Sequence, residues 1–168
     1  HGYQRIVRIG SHTGKDRLAD RLHEHFAVDN KDRSIFRKNI GRAILNKRDD
    51  PFLKDWNIDL TSRKTRDKFA HLVDFDYQKR VEKEVTDYIQ KNISFAVIEV
   101  ADKQERLDIE TKLIATVSCC EQCKASSAWL GLNSPVAKIV ESGLWQVKGL
   151  YQKGYTMNEL QRFVFTEV

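Results

Sequence analysis

The chain is predicted to fold as an α+β domain, a small three-stranded sheet flanked by helices, and three observations carry that expectation. Arg5 to Ile9 is a short run in which Ile6, Val7 and Ile9 suit a strand. Ile93 to Val100, ISFAVIEV, is rich in β-branched and aromatic residues and lacks a helical stripe, so it reads as an interior strand paired with the first. Around these two runs lie segments whose apolar residues recur at helical spacing. Because the first strand begins within a few residues of the start and a lone pair of strands cannot bury a face, the third strand is expected upstream in the full-length protein.

With 168 residues and 40% hydrophobic content, residues 1–168 are expected to form one domain with a real core. A net charge of +5 and a pI near 9.1 favour a polyanionic partner. No apolar run approaches the roughly 18 residues needed to cross a bilayer. The charged, polar start HGYQR is unlike a signal peptide, so a soluble, cytoplasmic protein away from membranes is expected. Cys119, Cys120 and Cys123 fall in one short segment, unlike a secreted disulfide framework. Cys120-x-x-Cys123 has zinc-ligand spacing, but a closed site needs four ligands and no second pair lies nearby, so ordinary loop thiols are expected.

In chain order, Gly10 to Gly14 forms a turn, with Thr13 as an N-cap and Asp16 complementing the dipole of the helix that follows. On that helix Leu18, Leu22 and Phe26 follow the i, i+4, i+8 spacing of a core-facing stripe. Arg21 and His25, four residues apart, border the stripe on one face. A second helix is predicted over Asn30 to Arg48, with Ile35, Phe36, Ile40, Ala43 and Ile44 on its apolar face. Its other face, including Lys31, Arg33, Arg37, Lys38 and Arg42, is basic enough to contact phosphates through counterion release, or is simply solvated. Asp49, Asp50 and Pro51 break this helix. Phe52 to Asp67 reads as less regular, with Trp56 and Ile58 as core contacts, and the stretch 30–74 as a helical, basic insertion. Phe75 to Lys91 forms a third helix through Tyr77, Val81, Val85, Tyr88 and Ile89, and Asn92 ends it.

After ISFAVIEV, Asp102 and Glu105 make a capping-box-like start to a helix whose apolar face is Leu107, Leu113, Ile114 and Val117. Glu110 falls in the middle of that face, where a carboxylate loses solvation unless it meets a cation or a metal. Pairing with a buried arginine or hydrogen bonding to backbone would equally satisfy it. Ser134 and Pro135 form an N-cap and N1 pair opening a helix over Val136 to Lys148, and Asn133 sits just before that cap, where asparagine is also common turn chemistry. Thr156-Met-Asn-Glu159 is a capping box leading into LQRFVF, which completes a C-terminal helical extension over 134–168.

One order of features stands out: a strand, the Ile9-Gly10 turn, Arg21-x-x-x-His25-Phe26 on a helix, the ISFAVIEV strand, Glu110 on the next helix, then Asn133. This order resembles the GIY-YIG nuclease family, from Arg8 to about Asn133, with the Arg48 to Asp74 region being extra. The resemblance implies that Arg21 and His25 face a scissile phosphate, that Glu110 holds a catalytic Mg²⁺ or Mn²⁺, and that Asn133 supports the site. It implies a metal-dependent endonuclease hydrolysing DNA. Two departures accompany it: Arg8-Ile9-Gly10 stands where the family has Tyr-Ile-Gly, and the first tyrosine motif is absent, Tyr3 being too close to Arg8 to supply it. His12 is a nearby candidate for the missing phenol's role.

Phosphodiester hydrolysis needs an activated water, a Lewis acid and cationic stabilisation of growing charge. Glu110 offers oxygen to a hard cation, Arg21 a planar fork to phosphate, and His25 an imidazole to position or deprotonate water, with Arg8, His12, Arg37 and Lys38 as further substrate contacts. The alternative is a nucleic-acid-binding or assembly module on the same fold without catalysis, favoured by the two departures.

Overall fold

The computed structural model describes residues 4–12, 14, 17–122, 124–161, 163 and 166–167. Its core is built around helix α2 (Ile35–Lys47), which buries Phe36, Ile40, Ala43 and Leu45. Ser34 starts this helix by accepting the Arg37 N–H at 3.3 Å, one of the donors that a helix N-terminus leaves without an internal partner. Helix α3 (Leu53–Asn57) lays the fully buried Trp56 across Gly41, and a Cβ at Gly41 would come within 2.2 Å of the indole ring. The indole N–H donates to the Lys38 carbonyl at 2.9 Å, so the close approach leaves no polar atom unpaired there. Helix α4 (Arg63–Phe69) follows, and α5 (Phe75–Asn92), capped by the Asp74 side chain, closes the core with Val81, Val85 and Ile89.

Between α2 and α5 lies a buried ion pair. The Arg37 guanidinium, fully buried, donates to Glu82 Oε2 from Nε at 3.3 Å and from Nη2 at 3.1 Å. Nη2 also reaches Asp29 at 3.0 Å and Thr86 at 2.6 Å, while Nη1 donates to the His25 carbonyl at 3.1 Å. Glu82 in turn accepts the Lys31 backbone N–H. Burial pushes the Glu82 carboxyl above its ordinary value, against the opposing pull of the Lys31 amide and Arg37. The pair thus fixes the C-terminal end of helix α1 (Leu18–Phe26), which buries no residue of its own. Its expected core-facing stripe of Leu18, Leu22 and Phe26 instead lines a cleft, with Phe26 also touching the core's edge.

The expected three-stranded sheet is not formed. Among the described residues the ladder is two residues on each side, β1 (Ala96–Val97) antiparallel to β2 (Thr166–Glu167). Arg5 to Ile9 carries no ladder. Its backbone is satisfied singly, the Val7 carbonyl accepting from Trp145 N–H at 2.7 Å and the Ile9 N–H donating to Gln146 Oε1 at 2.7 Å. Just before it, the Gln4 side chain meets the Ile93 to Val100 run, its Oε1 accepting from Ser94 Oγ at 2.9 Å. No residue of Ile93 to Val100 is buried, so the β-branched composition favours extended backbone there without supplying the two covered faces of an interior strand.

Helix α6 (Lys103–Ser118) begins at the expected cap, the Asp102 carboxylate accepting the Glu105 N–H at 2.8 Å. A 3₁₀ turn (Leu130–Asn133) leads to α7 (Ala137–Ser142), which is much shorter than the expected Val136 to Lys148. Gly143 stops it at φ +66°, a conformation that disfavours any side chain, and the chain then turns Leu144 and Trp145 into the core. The Thr156–Glu159 capping box is present and opens α8 (Met157–Leu160). The expectations for Tyr3, Thr13, Asp16, Cys123 and residues 162, 164 and 165 lie outside the described residues. Among the described residues no helix is long and apolar enough to cross a membrane.

Two substitutions test this core by urea denaturation. Gly41→Ala is expected to destabilise the protein by about 1–3 kcal/mol, because the added methyl must displace the Trp56 ring. Arg37→Met is expected to cost more, about 3–5 kcal/mol, because it strands the Glu82 carboxylate in the core.

Candidate active site

Five of the residues singled out in the sequence, Arg8, His12, Arg21, His25 and Glu110, line one cleft of about 950 Å³ between the opening segment, α1, α6 and the Ile93 to Val100 run. Its charge is one-sided. Among the described residues Arg5, Arg8, Arg21, Lys91 and Arg106 line it as cations, against Glu110 as the one carboxylate. Such a cleft raises the local potential and draws in an anion.

Each wall follows from local structure. Arg8 comes off the extended segment pinned by Trp145 and Gln146, and its guanidinium lies 5.0 Å from the Phe36 ring centroid. Burial pushes its pKa down to about 10, Glu110 opposing and Arg21 reinforcing the shift, so it stays charged at neutral pH. Arg21 and His25 sit one turn apart on α1, where Arg21 pairs with Glu24. That pair is exposed enough for an incoming anion to displace it at little cost. His25 Nδ1 meets Ser34 Oγ at 2.8 Å, and its ring packs edge-on against Phe36. Burial first, then the charges of Arg8, Arg21 and Arg37, hold its pKa down to about 4, which leaves the imidazole neutral at pH 7. Glu110 accepts a hydrogen bond from the Ser11 hydroxyl.

Glu110 matches the donor chemistry of a hard divalent cation, which binds oxygen and, in the case of Mg²⁺, commonly takes one or two carboxylates alongside water and substrate phosphate. Among the described residues no three His, Cys, Asp or Glu side chains gather into a ligand cluster, and Glu110 is the carboxylate that lines the cleft.

Three predicted residues lie elsewhere. Arg37 and Lys38 do not form an outward phosphate-contacting face. Arg37 is fully buried against Glu82, and Lys38 is buried with its ammonium 3.7 Å from Asp32. Lys31, expected on the same basic face, is buried too, donating to Asp32 at 2.9 Å and to the Ile58 carbonyl at 2.8 Å. Burial lowers the Lys38 pKa. Asn133 ends the 3₁₀ turn outside the cleft, its amide on the Leu130 carbonyl at 3.3 Å and its carbonyl accepting from Asn46 at 3.0 Å.

Ser11, Ser34 and Arg106 join the site without having been among the residues expected from the sequence. Arg106 lines the cleft one turn before Glu110, anchored by the Val100 and Ala101 carbonyls at 2.7 and 2.8 Å. Its i, i+4 relation to Glu110 was the available signal. Ser34 was readable as the cap directly before the apolar run Ile35-Phe36.

A family model described as "GIY-YIG domain" matches residues 1–165. No curated protein and no solved structure matches the chain.

The low His25 pKa predicts an acid sensitivity of folding. Its folded value, about 4, lies below the ordinary 6.5, so between those values the unfolded chain binds more protons, and the His25 contribution to stability is lost as pH falls through that window. Melting temperatures measured from pH 7 to 4 are expected to fall less steeply for His25→Gln than for the wild type.

Proposed function

Because the chain belongs to the GIY-YIG family, a family of nuclease type, we propose that it is a metal-dependent endonuclease hydrolysing DNA phosphodiester bonds. The observation that carries this reading is the cleft itself, which Arg8, Arg21, Arg106, His25 and Glu110 line together. Arg21 offers a planar fork for two phosphoryl oxygens, a geometry a lysine could not reproduce. Arg8, partly desolvated and still charged, stabilises negative charge more strongly than an exposed cation would. Neutral His25 adds a hydrogen bond without adding another charge. Glu110 would hold a Mg²⁺ or Mn²⁺ ion, whose contribution when bound is Lewis-acid polarisation of the phosphoryl group. Arg106, held by the Val100 and Ala101 carbonyls, adds a further cation to the cleft.

One observation favours a second reading, a nucleic-acid-binding module without catalysis. Arg8 stands where the family pattern has a tyrosine, and a guanidinium stays protonated and cannot serve as a base at neutral pH.

Plasmid cleavage by the chain with Mg²⁺ or Mn²⁺ separates the two. Nicking that EDTA stops, and that Glu110→Ala and Arg21→Ala each reduce by about 100-fold or more while the proteins remain folded, is the expected result. Tight DNA binding with no cleavage under either metal would establish the second reading instead.

A further inference from the structure

The two histidines of the cleft are held by partners of opposite kind. His12 Nδ1 lies 2.7 Å from the Gly14 carbonyl oxygen. A carbonyl only accepts, so Nδ1 carries the ring hydrogen, and in the neutral imidazole Nε2 keeps its lone pair. His25 Nδ1 lies 2.8 Å from Ser34 Oγ, and Ser34 is buried. That hydroxyl oxygen already accepts the Arg37 N–H, and among the described residues His25 Nδ1 is the acceptor within reach of its proton. A buried hydroxyl that donated nowhere would forfeit a hydrogen bond, so it donates to His25, and the hydrogen of the neutral His25 ring sits on Nε2. Both rings line the cleft, and at Nε2 they carry opposite groups, a lone pair on His12 and an N–H on His25.

We propose that His12 is the general base of this cleft, accepting the proton of the attacking water at Nε2, and that His25 is a hydrogen-bond donor whose tautomer is set by Ser34 as a positioning residue. The assignment rests on the phosphodiester-hydrolysis reading. The guanidinium groups of Arg8, Arg21 and Arg106 have no lone pair to give, and on that reading the Glu110 carboxylate is given to the divalent ion. In the step, the water oxygen forms the new bond to phosphorus as its proton passes to His12 Nε2. The bond from phosphorus to the leaving sugar oxygen breaks, and that oxygen takes a proton from solvent. His12 then returns its proton to solvent, so protons and charge balance over one turnover.

The test joins a spectrum to a rate. In the full chain labelled with ¹⁵N at histidine, two-bond ¹H–¹⁵N spectra at pH 7.5 should place the hydrogen of His12 on Nδ1 and that of His25 on Nε2. Ser34→Ala should shift the His25 pattern toward mixed tautomers, and Ser34→Thr should restore it, which loss of the helix cap alone would not do. In plasmid cleavage with Mg²⁺, His12→Ala should lower kcat by about 100-fold and added imidazole should recover about tenfold of that, whereas His25→Ala should gain nothing from imidazole. His12→Gln, which keeps a polar side chain, serves where His12→Ala does not fold. A His12 ring protonated at Nε2, or a wild type that cleaves alongside a His12 variant within about threefold of it, would overturn the proposal and leave the nuclease reading standing. Absence of cleavage by the wild type under either metal would instead sink the nuclease reading, and the base assignment with it.

Discussion

The contact between Arg37 and Glu82 is the constraint on which the rest of the molecule depends. It joins the two helices that make the core and, through the His25 carbonyl, fixes an α1 that has no buried side chain to hold it. A charge pair in such a place is not there for stability alone, since apolar residues of similar volume commonly serve as well. What an apolar pair could not supply is direction. The guanidinium fork reaches Glu82, Asp29, Thr86 and the His25 carbonyl at once, so the end of α1 that bears His25 is set relative to α2 and to the Ser34 cap.

From that anchor the electrostatics of the cleft follow. Arg37 contributes to holding His25 neutral from behind, while Arg8 and Arg21 do so from the cleft side. The result is a cleft lined mainly by cations, with the His25 imidazole uncharged and Glu110 as its one carboxylate among the described residues. An anion binding there meets the desolvated Arg8 guanidinium, which strengthens that contact relative to a surface site. Positioning by fixed hydrogen bonds means that little reorganises when charge builds on a substrate.

Local signals in the sequence were reliable where they depended on neighbours. The Asp102 cap, the Thr156–Glu159 capping box and the stripe of Val81, Val85 and Ile89 are set by residues within one or two turns, and each appears in the fold. The grouping of Arg21 and His25 was legible for the same reason. What depended on distant partners was not. Arg37 looks like any surface arginine on a helix, and only Glu82, 45 residues on, makes it a core residue. The sheet was not legible for a similar reason: β-branched residues state a backbone preference and not a ladder partner, and Trp145 and Gln146 take the Val7 carbonyl and the Ile9 N–H of the opening segment. Asn133 was placed by order along the chain, and the 3₁₀ turn it ends faces Asn46 on α2, away from the cleft.

On the proposed reading, Glu110 is where a divalent ion and a phosphodiester meet, in a cleft that Arg8, Arg21 and Arg106 also line. Paramagnetic broadening by Mn²⁺, recorded on ¹⁵N-labelled protein with a short DNA duplex present, tests it most directly. Broadening of the amide signals of Ser11, Arg106, Ile109 and Glu110 at substoichiometric Mn²⁺, and its loss in Glu110→Gln, is the expected result. Broadening centred elsewhere, or unchanged in that variant, would contradict it.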